Sequence, residues 1–198
     1  MAFIAFLGCD GSGKSTIIQG VTDHLAASGV EIQQGHWRPR MLDFRAEKIS
    51  SAADDPHRLG NRGFSLSLVK LGWLWLNWWI SWIFELSAAS RSGVILFDRY
   101  HADLLVDPKR YRYGGPMGIA RIASRCMPQP DLVFFLDAPP AVLLSRKQEV
   151  TEEALIKSRD AYTQLANHNS RFVIIDAQKP ALEVIDEVVA SISRIRTP

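Results

Sequence analysis

The chain has 198 residues, of which 47% are hydrophobic and 22% charged, and its formal net charge is +2. This length fits one domain with a sizeable core, and the composition excludes a disordered chain. A charge so close to neutral gives no support to DNA or an anionic membrane as the main partner, so we expect no nucleic-acid partner. Cys9 and Cys126 have no metal-type spacing, which argues against a disulfide framework or a zinc site and suits a cytoplasmic protein.

Short apolar runs predict five strands, and these are Ala2–Leu7, Val30–Gly35, Val94–Phe97, Leu132–Leu136 and Phe172–Ile175. The runs lack polar alternation, which is typical of strands buried on both faces of a parallel sheet. Helix-length segments lie between them, at Lys14–Ser28, Leu66–Ser90, Ala141–Val150, Glu152–Asn167 and Ala181–Arg194. The alternation predicts a three-layer α/β/α domain over residues 1–198, with right-handed crossovers. The start of the chain lacks a basic region and is interpreted as the first strand rather than a signal peptide.

The run GCDGSGKST at residues 8–16 directly follows the first predicted strand. It fits the pattern Gly-x-x-x-x-Gly-Lys-Ser/Thr, in which backbone N–H groups wrap a phosphate and the next helix presents its N-terminus to the anion. We expect Lys14 to reach the outer phosphates of ATP and the Ser15 hydroxyl to bind Mg²⁺. The loop residues predicted to bind ATP are Gly8, Asp10, Gly11, Ser12, Gly13, Lys14, Ser15 and Thr16. With a strand before it and a helix after it, this loop predicts a P-loop NTPase fold.

Polar residues also end the third predicted strand, in the run VILFDRY at 94–100. Ligands bind at the carboxyl edge of such sheets, so Asp98 is a predicted direct or water-mediated partner of Mg²⁺. Arg99 beside it has the forked guanidinium that grips a phosphate.

A basic cluster follows the fourth predicted strand, with Arg146 and Lys147 beyond the Pro139–Pro140 turn and Arg159 on the next helix. Phosphoryl transfer depends on positioning and charge neutralisation, so a small-molecule kinase needs cations that close over the transferring phosphate. We therefore predict a short lid over residues 141–160, with Arg146 and Lys147 as catalytic cations.

Residues 64–86 hold five of the six tryptophans. Only the part from Leu71 to Phe84 runs without a charge, which is shorter than the roughly 20 apolar residues of a membrane-spanning helix. Lys70, Asn77, Ser81 and Glu85 share one narrow stripe on a helical wheel, and the rest is apolar. We predict a Trp-rich helix over 64–90 that packs on the sheet and forms a homodimer, without stable membrane insertion. Contact of this helix with a lipid-linked substrate is the alternative.

Together the acidic phosphate loop GCDGSGKST, FDRY, LDAPP with its following RK, and IDAQKPALEV resemble the thymidylate kinase family of P-loop nucleoside monophosphate kinases, over most of the chain. The resemblance implies that Asp10 hydrogen-bonds the sugar hydroxyl of the acceptor nucleotide, and that Arg99 holds the acceptor phosphate. Asp98 would serve the Mg²⁺ site, and Ala177–Gln178 would meet the adenine. The loop carries no arginine, so the lid must supply the transition-state charge. The predicted acceptor-binding residues are Asp10, Arg38, Arg99 and Tyr100, and the predicted catalytic residues are Lys14, Asp98, Arg99, Arg146 and Lys147.

The chain departs from the family on the acceptor side. HWRPRML at 36–42 replaces a glycine-rich segment, leaving Arg38 and Arg40 to grip a phosphate within an irregular acceptor-side segment at 38–63. The Trp-rich stretch replaces the helix that offers an arginine and aromatic groups to thymine, with Arg58 and Arg62 as the candidates before it. The segment after FDRY is longer and adds Lys109, Arg110 and Arg112. This combination resembles a divergent branch associated with bacterial surface-polysaccharide genes.

The leading hypothesis is therefore an ATP- and Mg²⁺-dependent kinase that phosphorylates a nucleoside monophosphate of the thymidylate type. The first alternative is a kinase of a sugar, glycan or lipid-linked acceptor, in which Asp10 or Asp103 would be the general base. The second alternative is an ATP-binding regulator without transferase activity.

Overall fold

The computed structural model describes residues 2–37, 63–147 and 150–196. The segment predicted to be irregular, with Arg38, Arg40, Arg58 and Arg62, lies outside the described residues apart from Gly63. Five parallel strands form one sheet in the order β2-β3-β1-β4-β5. The strands are β1 Ala2–Leu7, β2 Ile32–His36, β3 Val94–Asp98, β4 Leu132–Asp137 and β5 Phe172–Asp176. The predicted five-stranded parallel α/β fold is confirmed.

The central strand β1 is buried along its whole length, as its apolar run predicts. The prediction of burial on both faces is wrong for β2 and β5, whose residues are mostly half-buried or exposed. These two strands form the edges of the sheet, so each has a neighbour on one side only. Gln33 and Gln34 in β2 use this exposure to hydrogen-bond Glu85 and Thr22.

Helices flank the sheet on both faces. The helices are α1 Lys14–Ala27, α2 Phe64–Ser81, α3 Ser87–Ser92, α4 Asp103–Val106, α5 Met117–Arg125, α6 Pro140–Arg146, α7 Glu152–Asn167 and α8 Ala181–Arg196. Helices α1 and α8 pack closely, and a Cβ placed on Gly20 of α1 would lie 2.2 Å from Cδ1 of Ile185 in α8. The helices α4 and α5 were not predicted from the sequence.

Helices α2 and α7 share one face of the sheet. Phe3 of β1 contacts Trp78 of α2, and Phe135 of β4 contacts Tyr162 of α7. Phe135 is paired with Leu7 in the register of β1 and β4. Because side chains alternate between faces along a strand, Phe3 and Leu7 point to the same side, and so do the two helices.

The Trp-rich helix contains one π-helical turn, Trp82–Leu86, between α2 and α3. The buried residues of α2 are Ser67, Leu71, Leu74, Asn77, Trp78 and Ser81. The polar stripe predicted from the helical wheel is therefore partly inward, because Asn77 and Ser81 face the protein and are joined by a 3.3 Å hydrogen bond. The outward side carries Val69, Trp73 and Phe84, which are exposed. Among the described helices, none combines the length and apolar character needed to cross a membrane.

Candidate active site

The phosphate loop leaves the carboxyl end of β1 in a conformation that only glycine adopts easily. Gly8, Gly11 and Gly13 have φ angles of 151°, 84° and 85°. A Cβ on Gly8 would lie 2.7 Å from the carbonyl oxygen of Leu136 in β4, and one on Gly11 would lie 2.9 Å from that of Leu143 in α6. The loop is therefore seated between β4 and α6, and side chains at these glycines would break that fit.

The side chain of Lys14 folds back onto the phosphate loop. Its Nζ donates hydrogen bonds to the carbonyl oxygens of Gly8 and Cys9 at 2.9 and 2.8 Å, and to the Ser12 hydroxyl at 3.2 Å. Burial, with the positive charge of Arg99 adding to it, lowers the pKa of Lys14 from 10.5 to about 8. The lysine thus lies where the motif requires it, next to a backbone cradle that suits phosphate oxygens.

Asp98 ends β3, directly beside the carboxyl end of β1, because Phe6 and Asp98 are paired in the register. Its Oδ1 is buried and has no hydrogen-bond partner among the described residues, while its Oδ2 lies 4.0 Å from Nε2 of His36. A buried carboxylate oxygen without a donor suits a cation. Mg²⁺ commonly takes one or two protein oxygens together with phosphate oxygens and waters, so the Asp98 carboxylate and the exposed Ser15 hydroxyl fit such a site.

Arg99 connects the phosphate loop to the segment that follows β3. Its Nη2 donates to Oδ1 of Asp10 at 2.5 Å, and its Nη1 donates to Oδ2 of Asp103 at 2.7 Å. The residue has a φ of 65°, a left-handed conformation that is uncommon outside glycine and is frequent at functional sites. Burial alone would lower the pKa of Arg99, but Asp103 and its other neighbours raise it above its ordinary value, so the guanidinium stays charged.

Arg110 adds a second cation to Asp10. Its Nη1 donates to Oδ2 of Asp10 at 2.7 Å, so both oxygens of this carboxylate accept from a guanidinium. Burial would raise the pKa of Asp10, but Arg99 and Arg110 outweigh it and lower the pKa from 3.8 to about 2. Asp10 is therefore ionised at neutral pH, and each oxygen retains a lone pair for a ligand hydroxyl.

Asp103 is the buried centre of a polar cluster behind Arg99. Besides Arg99, it accepts hydrogen bonds from the hydroxyl of Tyr111 at 2.5 Å and from that of Tyr162 in α7. Its side chain is fully buried. Because these three contacts all come from donors, Asp103 holds Arg99 in place and is poorly suited to act as a general base.

The long segment after β3 is fixed by aromatic packing. The Tyr111 ring stacks on Trp37, with centroids 4.5 Å apart and planes inclined by 16°. Lys70 of α2 lies 5.8 Å from the Trp37 ring and donates to the carbonyl oxygen of Tyr111 at 2.7 Å. These contacts bring Arg110, in the same segment, to the phosphate loop.

A cavity of about 250 Å³ adjoins the start of α1. Ser12, Gly13, Thr16, Arg146 and Ala177 are among its lining residues, and Asp10 is not. Both terminal nitrogens of Arg146 donate to the carbonyl oxygen of Ala177 at 3.1 Å. The predicted lid residue Arg146 therefore lies on this cavity. Gln178 is exposed beside it and hydrogen-bonds Asp176.

Lys147 and Arg159, the other members of the predicted basic cluster, contact different parts of the site. A Cβ on Gly11 would be 3.5 Å from the Cβ of Lys147. Arg159 of α7 grips Asp137 at the end of β4 with two hydrogen bonds of 2.6 and 2.8 Å. Arg159 is thus a carboxylate partner at the edge where the loop begins.

The structure brings together Asp10, Lys14, Asp98 and Arg99, as the sequence predicts. Tyr100, predicted to bind the acceptor, is instead buried against Phe3 and Trp78. Burial raises the pKa of the Cys9 thiol to about 11, so this loop residue is neutral at physiological pH. Sequence reasoning missed the roles of Arg110, Tyr111 and Tyr162. The signal for Arg110 and Tyr111 was limited to the unusual length and basic character of the segment after FDRY, and Tyr162 lies apart from that segment, on α7.

A parallel sheet, a glycine loop opening onto α1 and a carboxylate at the end of β3 define a P-loop kinase. The family model for thymidylate kinase matches residues 85–188. A "Probable thymidylate kinase 1" from Saccharolobus solfataricus is 26% identical over 204 residues, covering 96% of each chain. Thymidylate kinases from Lactobacillus helveticus and Finegoldia magna are 26% and 28% identical, and they align with 97% of this chain and with 95% and 98% of their own lengths.

Because the family match spans more than half of the chain, the chain belongs to the thymidylate kinase family. It is an ATP-dependent phosphotransferase of the nucleoside monophosphate kinase type.

Proposed function

We propose that the protein transfers the γ-phosphoryl group of ATP to a nucleoside monophosphate of the thymidylate type. The observation that carries this proposal is the charged cluster that Arg99 and Arg110 form with Asp10 of the phosphate loop. Two guanidiniums at this position suit the phosphate of an acceptor, and the carboxylate suits a sugar hydroxyl. The names of the relatives, all thymidylate kinases, agree with an acceptor of this type.

In this proposal the donor lies along the loop, with its base in the cavity that Arg146 and Ala177 help to line. Lys14 leaves its contacts with Gly8 and Cys9 and binds the outer phosphates. Ser15 and Asp98 would hold Mg²⁺, which neutralises charge on the phosphates when it is bound. Arg99 aligns the acceptor phosphate with the γ-phosphoryl group.

The proposed reaction requires no general base, since a phosphate monoester is already anionic at neutral pH. A hydroxyl acceptor would need one of two carboxylates, Asp10 or Asp103, as its general base, and neither is suited to that role. The pKa of Asp10 is lowered to about 2, which makes it a weak base. Asp103 is buried among hydrogen-bond donors. We therefore favour a phosphate acceptor over a sugar or glycan hydroxyl.

We propose that the lid spans residues 141–160 and that Lys147 supplies charge to the transferring phosphoryl group. Support comes from its position against Gly11. Arg146 would act on the donor base and Arg159 would hold the end of β4. Closure over the loop would exclude water and limit hydrolysis of ATP.

The test is an acceptor panel that contains thymidylate, the other nucleoside monophosphates, sugars and sugar phosphates. Release of ADP and formation of a nucleoside diphosphate are measured for each. We expect thymidylate to give the highest kcat/KM, and the Lys14→Ala variant to lose at least about 100-fold of it. A sugar or sugar phosphate as the best acceptor, or near-normal turnover by the Lys14→Ala variant, would overturn the proposal.

We further propose that the chain is one kinase domain that forms a homodimer through the outward side of the Trp-rich helix. Val69, Trp73 and Phe84 are exposed on that side, while small polar residues occupy part of its inner side. An apolar surface of this kind is characteristic of an interface.

The free thiols of Cys9 and Cys126 agree with a proposed location in the reducing cytoplasm.

A further inference from the structure

A second, larger cavity lies apart from the phosphate loop, where α5 and the end of α7 meet the amino ends of β4 and β5. Its volume is about 630 Å³, within the range of roughly 300–1,000 Å³ that is usual for small-molecule sites. None of its lining residues also lines the cavity beside Ser12 described above, or a small cavity that Asp10, Arg99 and Arg110 line at the acceptor side. It is thus separate from both positions proposed for the reacting nucleotides.

The rim of this cavity is basic. Arg121 and Arg125 lie one turn apart on α5, and Arg171 immediately precedes β5. Among the described residues, no acidic side chain lines the cavity. Within the same part of the chain, none of the three guanidiniums forms an ion pair. Three unneutralised guanidiniums around one concave surface attract an anion with several oxygens, such as a phosphate ester.

The inner wall contains two buried polar side chains that lack a partner. The Tyr100 hydroxyl and Nε2 of His101 have no hydrogen-bond partner among the described residues, and both residues line the cavity. The side chains are almost completely buried, with 1% and 2% of each residue exposed. Buried polar groups without partners are rare in folded proteins because each gives up its hydrogen bonds to water. Both atoms are enclosed in this structure, so the charged groups that a ligand in the cavity meets are the three guanidiniums.

The orientation of His101 in this wall is fixed by α5. Its Nδ1 lies 2.7 Å from the hydroxyl of Ser124 on α5, which also lines the cavity. In the tautomer in which this hydroxyl donates to Nδ1, Nε2 carries the hydrogen. Apolar side chains, among them Leu105, Val133 and Phe172, complete the lining, so the cavity also has room for an apolar or flat group.

We infer that this cavity is a second ligand site, which binds a small phosphorylated molecule through Arg121, Arg125 and Arg171. Tyr100 and His101 form part of its inner wall. Because these two residues directly follow Arg99 in the chain, a ligand here touches the segment that holds the acceptor side of the active site. This inference does not depend on which acceptor the enzyme uses.

The test uses equilibrium dialysis to measure the binding of labelled inorganic pyrophosphate to the Lys14→Ala protein. This substitution removes the lysine of the phosphate loop. We expect a saturable site in this protein that an added Arg125→Gln, Arg171→Gln pair weakens about tenfold or more. Arg121→Gln alone is an independent variant with a smaller expected loss. Arg194→Gln is the matched control, since Arg194 is exposed on α8 and does not line the cavity.

Two results would overturn the inference. The first is the absence of any saturable site in the Lys14→Ala protein that depends on the cavity arginines. The second is an equal loss of affinity in the Arg194→Gln control, which would mean that pyrophosphate responds only to the overall charge. Circular dichroism of each variant verifies that the fold is retained, as expected for substitutions of exposed side chains.

Discussion

Arg110 donates a 2.7 Å hydrogen bond to Oδ2 of Asp10, although 100 positions separate the two residues in the chain. Arg99 donates to Oδ1 of the same residue, so two guanidiniums surround the only carboxylate of the phosphate loop. Asp10 is close to the end of β1, and Arg110 belongs to the segment after β3. The contact is possible because β1 and β3 are adjacent in the sheet.

Arg110→Ala is expected to raise the KM for the acceptor about tenfold with a smaller change in kcat, because a cation that binds the acceptor phosphate before and during transfer contributes uniform binding. Steady-state kinetics with the acceptor varied at saturating ATP measures this. Lys109→Ala is the control, since Lys109 is exposed one residue away. An unchanged KM for Arg110→Ala would restrict Arg110 to a structural role.

Tyr162→Phe is expected to lower the free energy of unfolding by about 1.5–3 kcal/mol, because it removes a hydrogen bond to the buried charge of Asp103. Urea unfolding of the variant and the wild type gives this difference. Tyr113→Phe is the matched control, because the Tyr113 hydroxyl donates to the carbonyl oxygen of Pro116 and not to Asp103. Equal losses in the two variants would contradict a special role for the Asp103 cluster.

Lys14 makes the stability of the unliganded protein depend on pH. Burial lowers the pKa of Lys14 from 10.5 in the unfolded chain to about 8 in the folded one. Below pH 8 the lysine is charged in both states, and folding bears the full cost of burying that charge. Between about pH 8 and 10.5 the unfolded chain holds the proton while the folded chain loses it, so the free energy of unfolding rises with pH.

Urea unfolding of the wild type and of Lys14→Met at pH 7 and pH 10 separates this effect from other titrations. The stability advantage of Lys14→Met is expected to shrink at the higher pH, by up to about 3 kcal/mol. An advantage that stays constant or grows with pH would contradict the lowered pKa. Titrating groups that do not interact with Lys14 contribute equally to both proteins and cancel in the comparison.

The double substitution Val69→Glu, Phe84→Glu is expected to convert a homodimer into monomers, because it places charges on the outward side of the Trp-rich helix. Sedimentation velocity at micromolar concentration measures the mass. Leu182→Glu is the control, as Leu182 is 75% exposed on α8, away from that helix. A wild-type protein that is already a monomer would rule out the proposed dimer.

The sequence predicts those parts of the site that depend on local pattern. The phosphate loop and Asp98–Arg99 each combine a short motif with an adjacent buried strand, and neighbouring parallel strands bring their carboxyl ends together. Glu152–Asn167 is predicted with its observed bounds, and in the structure the Thr151 side chain accepts a hydrogen bond from the backbone N–H of Ala154 at its start. Local chemistry was sufficient in these cases.

Other features depend on contacts between distant segments. Arg110 reaches Asp10 only because Tyr111 stacks on Trp37 and hydrogen-bonds Asp103, and none of these pairs has a fixed spacing in the sequence. The facing of the Trp-rich helix could not be predicted for a related reason. A helical wheel separates polar from apolar sides, but it does not show that Asn77 and Ser81 are the residues facing the protein.

The strand order has a consequence for synthesis on the ribosome. β1 and its phosphate loop are made first, but β1 lies between β3 and β4, and Gly8 packs against the carbonyl oxygen of Leu136. A nascent chain that has not yet reached β4 contains the whole loop motif without the wall that shapes it. ATP therefore cannot stabilise this protein by binding until about two thirds of the chain has emerged, and the early apolar strand must wait for its partners.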